Sequence, residues 1–154
     1  MNAAVKESAS PTLHDEPLFL KPPVDLARKK PVALVFETPY CAGCDELHRE
    51  AFRRPEVRKL LERFDVFRLT LDTRRDADST WAGALQVSYT PSVVFFDGGR
   101  EVFRIEACLR PFHFASALEY VAHRAYRTEP SFQRFLRSRA ERLRARGVAV
   151  ELWQ

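Results

Sequence analysis

From Pro31 to Glu37 the chain reads PVALVFE, a continuous apolar and β-branched run that stops at Thr38-Pro39. A run of that length and composition predicts a buried strand. The spacing then lengthens. Leu47, Ala51 and Phe52, and after Pro55 the residues Val57, Leu60, Leu61 and Phe64, recur at helical intervals. They predict a long helix from Cys44, kinked or restarted near Arg54-Pro55, because proline breaks the hydrogen-bond ladder there. In DVFRLTLD (Asp65–Asp72) Val66, Arg68 and Thr70 alternate with Phe67, Leu69 and Leu71, the signature of a second strand. The polar stretch TRRDADSTWAGALQV predicts a loop and a short helix around Thr80–Leu85. Two apolar runs, Ser92–Phe96 and Glu101–Glu106, flank Asp97-Gly98-Gly99 and predict a hairpin. Pro111 opens a helix with Phe114, Leu118 and Val121 on one face. A last helix follows, with Thr128 as its cap, Phe132, Phe135, Leu136, Ala140 and Leu143 as its stripe, and Gly147 as its stop. Before the first strand, Pro17–Lys30 has room for no more than a short helix after Pro23, and the tail VAVELW reads as a docked extended segment.

Strand, helix, strand, helix, hairpin and covering helix imply an α/β fold: a central mixed sheet flanked by helices on both faces, with an extra C-terminal helix. Residues 1–15 read as a flexible arm, 16–127 as the domain, and 128–154 as a helical extension packed on it. The formal charge is +4, and much of the excess sits in RSRAERLRAR (Arg137–Arg146), where Glu141 is the only acid. These arginines recur around an apolar stripe without interleaved aromatics, so they read as a solvated helix face and exclude a nucleic-acid partner. No stretch approaches the roughly 20 apolar residues that span a bilayer, which excludes membrane insertion. The first residues lack the apolar core of a signal peptide. A cytoplasmic protein and a mature form without its leader both fit.

Three cysteines are too few for a disulfide scaffold. Cys41 and Cys44 form a Cys-x-x-Cys pair between the first strand and its helix, and Cys108 stands alone beyond the hairpin, expected at the far end of the sheet as a small buried hydrophobe. Two residues three apart on a first helical turn can be bridged, but in a confined way that suits reversible chemistry. At the helix N-terminus Cys41 meets free N–H groups that favour the thiolate, the form that attacks disulfides. Cys44, one turn inside, is placed to resolve a mixed disulfide. With His48 the pair also fits C-x2-C-x3-H, although a structural zinc site needs a fourth ligand; otherwise His48 reads as a helix-surface or core-edge residue.

FETPYCAGCDELH, followed about fifty residues later by YTPSVVFFDGG, resembles the thioredoxin superfamily. The resemblance implies a thioredoxin fold and a thiol–disulfide oxidoreductase with no cofactor or metal beyond the redox-active disulfide of Cys41 (nucleophile) and Cys44 (resolving). It implies that Pro91 is cis and faces the pair, and that Tyr40, Thr90 and Pro91 contact the substrate. More narrowly, VFE…C..C..LH and the C-terminal extension resemble bacterial periplasmic thioredoxin-like proteins of the SoxW type, which belong to the sulfur-oxidation system. That likeness implies a periplasmic, monomeric disulfide reductase acting on protein or small-molecule disulfides and recharged by a membrane or soluble thiol reductant. The sequence departs from the family at three points: Tyr40 replaces a tryptophan, Ala42-Gly43 replaces Gly-Pro, and Val35 replaces a buried aspartate. Glu37 lies on the same side of the strand as Val35 and one step closer to the cysteines. It is the candidate for proton transfer in place of that acid, against the alternative of a solvent-facing glutamate. Trp81 either flanks the pair or fills the core; Phe112, His113 and Phe114 read as packing. The competing function is a redox-inert or thiol-sensing adaptor on the same fold.

Overall fold

The computed structural model describes residues 19–72, 76–106 and 110–150. In chain order the elements are β1 (Val32–Glu37), α1 (Ala42–Glu46, continued by one π-helical turn at Leu47–Ala51), α2 (Pro55–Leu61), β2 (Asp65–Thr70), α3 (Asp76–Leu85), β3 (Ser92–Asp97), β4 (Arg100–Glu106), α4 (Pro111–Ala122) and α5 (Phe132–Ala145). The expected long helix does restart at Pro55, which occupies the first turn of α2. The helix before β3 starts at Asp76, earlier than its apolar spacing indicated. Among the described residues Pro22–Lys30 holds no helix; a single bridge joins Phe19 to Val66 in parallel.

The sheet order is β2-β1-β3-β4. β1 runs parallel to β2 and antiparallel to β3, and β4 pairs antiparallel with β3. A central strand covered on both faces cannot alternate with polar residues, and all six residues of β1 are buried. Ala33, Val35, Val66, Val93 and Phe95 form one face, packed against Leu47, Phe52, Val57, Phe114, Leu118 and Val121 of α1, α2 and α4. On the other face Leu34, Phe36, Phe67, Leu69, Val94 and Phe96 meet Trp81 and Ala82 of α3 and Leu20, Val24 and Leu26. Trp81 is half-buried in that second core, as its core reading expects. The sheet therefore carries two apolar layers, with α1 held against one of them by Leu47 and Phe52.

Two expectations for the C-terminal helix need correction. Its cap is Ser131, whose Oγ accepts from the Arg134 N–H at 3.2 Å, because Thr128 instead closes the short 3₁₀ turn at Ala125–Arg127. The helix α5 lies along α4 and reaches the sheet at the β4 edge, where Phe132 packs 4.7 Å from Phe103, ring centre to ring centre. The arginine run is not wholly solvated either, since Arg139 is 2% exposed. Its guanidinium bonds Glu119 (3.0 Å), Ser116 (3.1 Å) and Glu56, and stacks over Phe112 at 5.1 Å.

Candidate functional site

At the C-terminal end of β1 the chain turns through Thr38-Pro39-Tyr40 into α1. Tyr40 has a φ of +57° and its side chain is fully exposed. Cys41 caps the helix: its Sγ accepts from the Cys44 N–H at 3.1 Å, and its carbonyl accepts from Asp45 N–H at 3.0 Å. A disulfide joins Cys41 to Cys44, with Cα atoms 5.2 Å apart. The two sulfurs are unequal. Cys44 is 2% exposed and belongs to the core, whereas Cys41 is half-buried at the surface. Cys41 is the more open of the two to an outside reactant.

The second motif arrives from β3. The Thr90–Pro91 peptide bond is cis. Thr90 Oγ1 lies 3.8 Å from Cys41 Sγ and 2.9 Å from Thr38 Oγ1, so the two motifs are tied at the sulfur that is exposed. A Cβ on Gly43 would stand 3.0 Å from Pro91 Cδ, a contact that few side chains tolerate. Gly43 lets α1 approach the proline closely, which gives a reason for glycine between the cysteines. Ser92 Oγ donates to the Tyr89 carbonyl at 2.6 Å and fixes the turn ahead of β3. Tyr89 is 62% exposed and joins Tyr40 as a second large exposed ring beside the pair. Sequence reasoning passed over Tyr89; its signal is an apolar residue directly ahead of Thr90-Pro91 in a turn.

Beneath the disulfide lies an ionic cluster. Glu37 is 4% exposed, so it does not face solvent. Its carboxylate receives His48 Nε2 at 2.7 and 2.8 Å and Arg68 Nε at 3.0 Å. Parallel register sets Arg68 opposite Val35 and brings it to the same sheet face as Glu37. His48 is not on the helix surface: it is 8% exposed, with Phe52 at 4.9 Å and Phe19 at 6.3 Å, ring centre to ring centre. The π turn, marked by the bond from Phe52 N–H to the Leu47 carbonyl, widens the helix where His48 turns inward. Neither the turn nor the His48 partner was visible in the periodicity.

Cys108 lies outside the described residues. The strand that leads towards it does not run to the far end of the sheet: Glu106 pairs with Ser92, next to Pro91, at the end that carries the cysteine pair. His113, in the first turn of α4, has a buried Nδ1 without a hydrogen-bond partner, and burial, then Arg110, pushes its imidazole below its usual range. Among the described residues no group of three or more His, Cys, Asp or Glu is arranged to hold a metal ion. No helix there is long and apolar enough to cross a membrane.

With this geometry in hand, comparison with known proteins is informative. The family model described as a thioredoxin-like domain matches residues 26–122. A thioredoxin-fold protein from Helicobacter pylori superposes with a TM-score of 0.62 at 17% identity, over 71% of this chain and 81% of its own. A thioredoxin from Thermus thermophilus gives 0.53 at 24% identity, over 76% and 82%. DsbH oxidoreductase gives 0.54 at 13% identity, over 72% and 97%. No curated protein matches the sequence. At these identities the structural likenesses establish the fold.

Proposed function

Since the chain belongs to the thioredoxin-like domain family, we propose that it is a thiol–disulfide oxidoreductase working as a disulfide reductase. One observation carries the reading: a Cys-x-x-Cys disulfide in which the helix-capping cysteine is half-buried at the surface and the second is fully buried. In the reduced protein Cys41 attacks as a thiolate, favoured by the Cys44 N–H and the start of α1. It forms a mixed disulfide with one substrate sulfur while the other leaves as a thiolate and takes a proton. Cys44 then gives up its proton and attacks Cys41 Sγ, which closes the internal disulfide and releases the second substrate thiol. Two electrons pass to the substrate, and a thiol reductant returns them.

Substrate contact falls to Tyr40, Thr90 and Pro91. A sulfur that reaches Cys41 must lie against Thr90, which is 3.8 Å away, with the exposed ring of Tyr40 alongside. The backbone of Thr90 would pair with an extended peptide substrate. Glu37 is the buried acid that supports the proton step in place of an aspartate at Val35. Residence in the periplasm, a monomeric state, recharge by a membrane donor and the likeness to SoxW-type proteins complete the proposal; the sequence resemblance supports them.

Turnover of insulin disulfides with dithiothreitol tests the core claim. Wild type should show a rate that Cys41→Ser abolishes; a rate independent of Cys41 favours the adaptor reading. The Cys41–Cys44 potential, measured against glutathione, then decides direction. A value near about −270 mV marks a reductant and one near about −120 mV an oxidant.

A further inference from the structure

We propose that His48 holds the proton that Cys44 must lose, with Glu37 as its positioning residue rather than as the acceptor itself. The proposal rests on the oxidoreductase reading and names a further residue of that site. Three observations carry it. First, Cys44 and His48 lie four apart along α1 and its π turn, and both are buried. Second, the Glu37 carboxylate is engaged on both oxygens by His48 Nε2 and on Oε2 also by Arg68. With both oxygens already engaged, that carboxylate is placed to hold and orient an imidazole ring or an imidazolium through charge-assisted hydrogen bonds. Third, the Glu37–His48 pair is buried, while Arg68 reaches it from the surface. Phe19, anchored by the Leu20 N–H to Val66 carbonyl bond at 2.8 Å, stands over His48 and under the Arg68 guanidinium, and Phe52 closes the other side.

The charged groups around the imidazole include Glu37 from β1 and, across Glu37, Arg68 from β2, while Cys44 precedes it on the same helix. Phe19 and Phe52 contribute no charge. In the resolving step the Cys44 thiol proton passes to the His48 ring. The new imidazolium is held by Glu37, and the Cys44 thiolate attacks Cys41 Sγ, expelling the substrate thiolate. That leaving group takes a proton from water, and His48 returns its own to solvent before the next cycle. An imidazole suits the task because its ordinary titration range lies close to neutrality.

The test reads protonation directly, apart from turnover. In a Cys41→Ser background the rate at which iodoacetamide labels Cys44 is followed against pH by the mass of its peptide. His48→Gln should slow labelling near neutral pH about tenfold, the effect of one unit in the thiol pKa, and Glu37→Gln should shift the profile the same way by less. Superimposable profiles for wild-type His48 and His48→Gln overturn the proposal. If His48→Gln does not fold, imidazole NMR of the unmutated protein decides. The His48 titration should differ between the oxidised and reduced forms, and identical titrations in the two forms overturn the proposal. Loss of Cys41-dependent insulin turnover in the wild type would instead sink the oxidoreductase reading while leaving the labelling result intact.

Discussion

Two partly buried ionic clusters, one on β1, β2 and the π turn and the other on α2, α4 and α5, are built for different ends. The Glu37–His48–Arg68 cluster sits at the end of β1 beneath the cysteine pair. The Arg139–Glu119–Glu56 cluster joins α5 to α4 and α2. Both neutralise charge inside the protein. Only the first contains an imidazole, the side chain whose ordinary titration range lies close to neutral pH. The second consists of guanidiniums, carboxylates and a serine hydroxyl, which keep their charges across that range. Proton chemistry and attachment of the extra helix thus use the same kind of pairing with different side chains.

The comparison is broken most severely at Arg139. Truncating it leaves Ser116 and Glu119 without their buried partner, although Arg142 still reaches Glu119 at 2.9 Å. Arg139→Ala should cost about 3–5 kcal/mol in urea unfolding, the usual penalty for breaking a buried pair from one side. Cys41-dependent insulin turnover by the folded fraction should be unaffected. A small loss would mean that α5 is held by Phe132, Leu136 and Ala140 alone.

A smaller cost is expected on the cysteine side. Glu37→Leu removes the acceptor of the buried His48 Nε2 while Arg68, which is partly exposed, can turn to water. Loss of about 1–3 kcal/mol should follow, the penalty for one buried donor left unsatisfied, and urea unfolding of the oxidised protein measures it. A neutral outcome would show that His48 finds another acceptor, and it would weaken the contrast between the two clusters.

How much of this was legible beforehand differs between the two regions. The sheet was readable because β1, β2 and the β3–β4 hairpin carry period-two or continuous apolar patterns with turn residues at their ends. The redox pair and Pro91 were readable because they are short motifs. Glu37 was readable through alternation from Val35. His48 was not, because its inward turn depends on a π-helical widening that has no residue signature of its own, and its partner lies eleven residues back across a loop. Arg139 was hidden for another reason. It sits on the stripe of α5, one position from Ala140, but a guanidinium in an arginine-rich helix reads as solvent-facing until Glu56 and Glu119 are known to converge on it from two other helices. Tyr89 was hidden by its neighbours, since the Thr90-Pro91 motif drew the reading past it.

The mildest effect belongs to acid. Burial alone would push the Glu119 carboxyl up, but hydrogen bonds and charge from Arg139 and Arg142 outweigh it and hold the group below its usual range. A carboxyl with a lowered pKa adds stability above its unfolded value, about 4.3. That contribution fades as pH falls through the folded value, because the unfolded chain binds the proton first. Stability should therefore hold level from neutral pH down to about pH 5 as far as the α5 cluster is concerned, and then fall. Glu119→Gln, less stable at neutral pH, should show a shallower fall over the same acid range, read from urea midpoints at stepped pH. A His48→Gln variant should keep the wild-type acid slope of the α5 cluster, since His48 makes no contact with Glu119, Arg139 or Arg142. If His48→Gln flattened the acid limb as much as Glu119→Gln, the division of labour between the two clusters would be wrong.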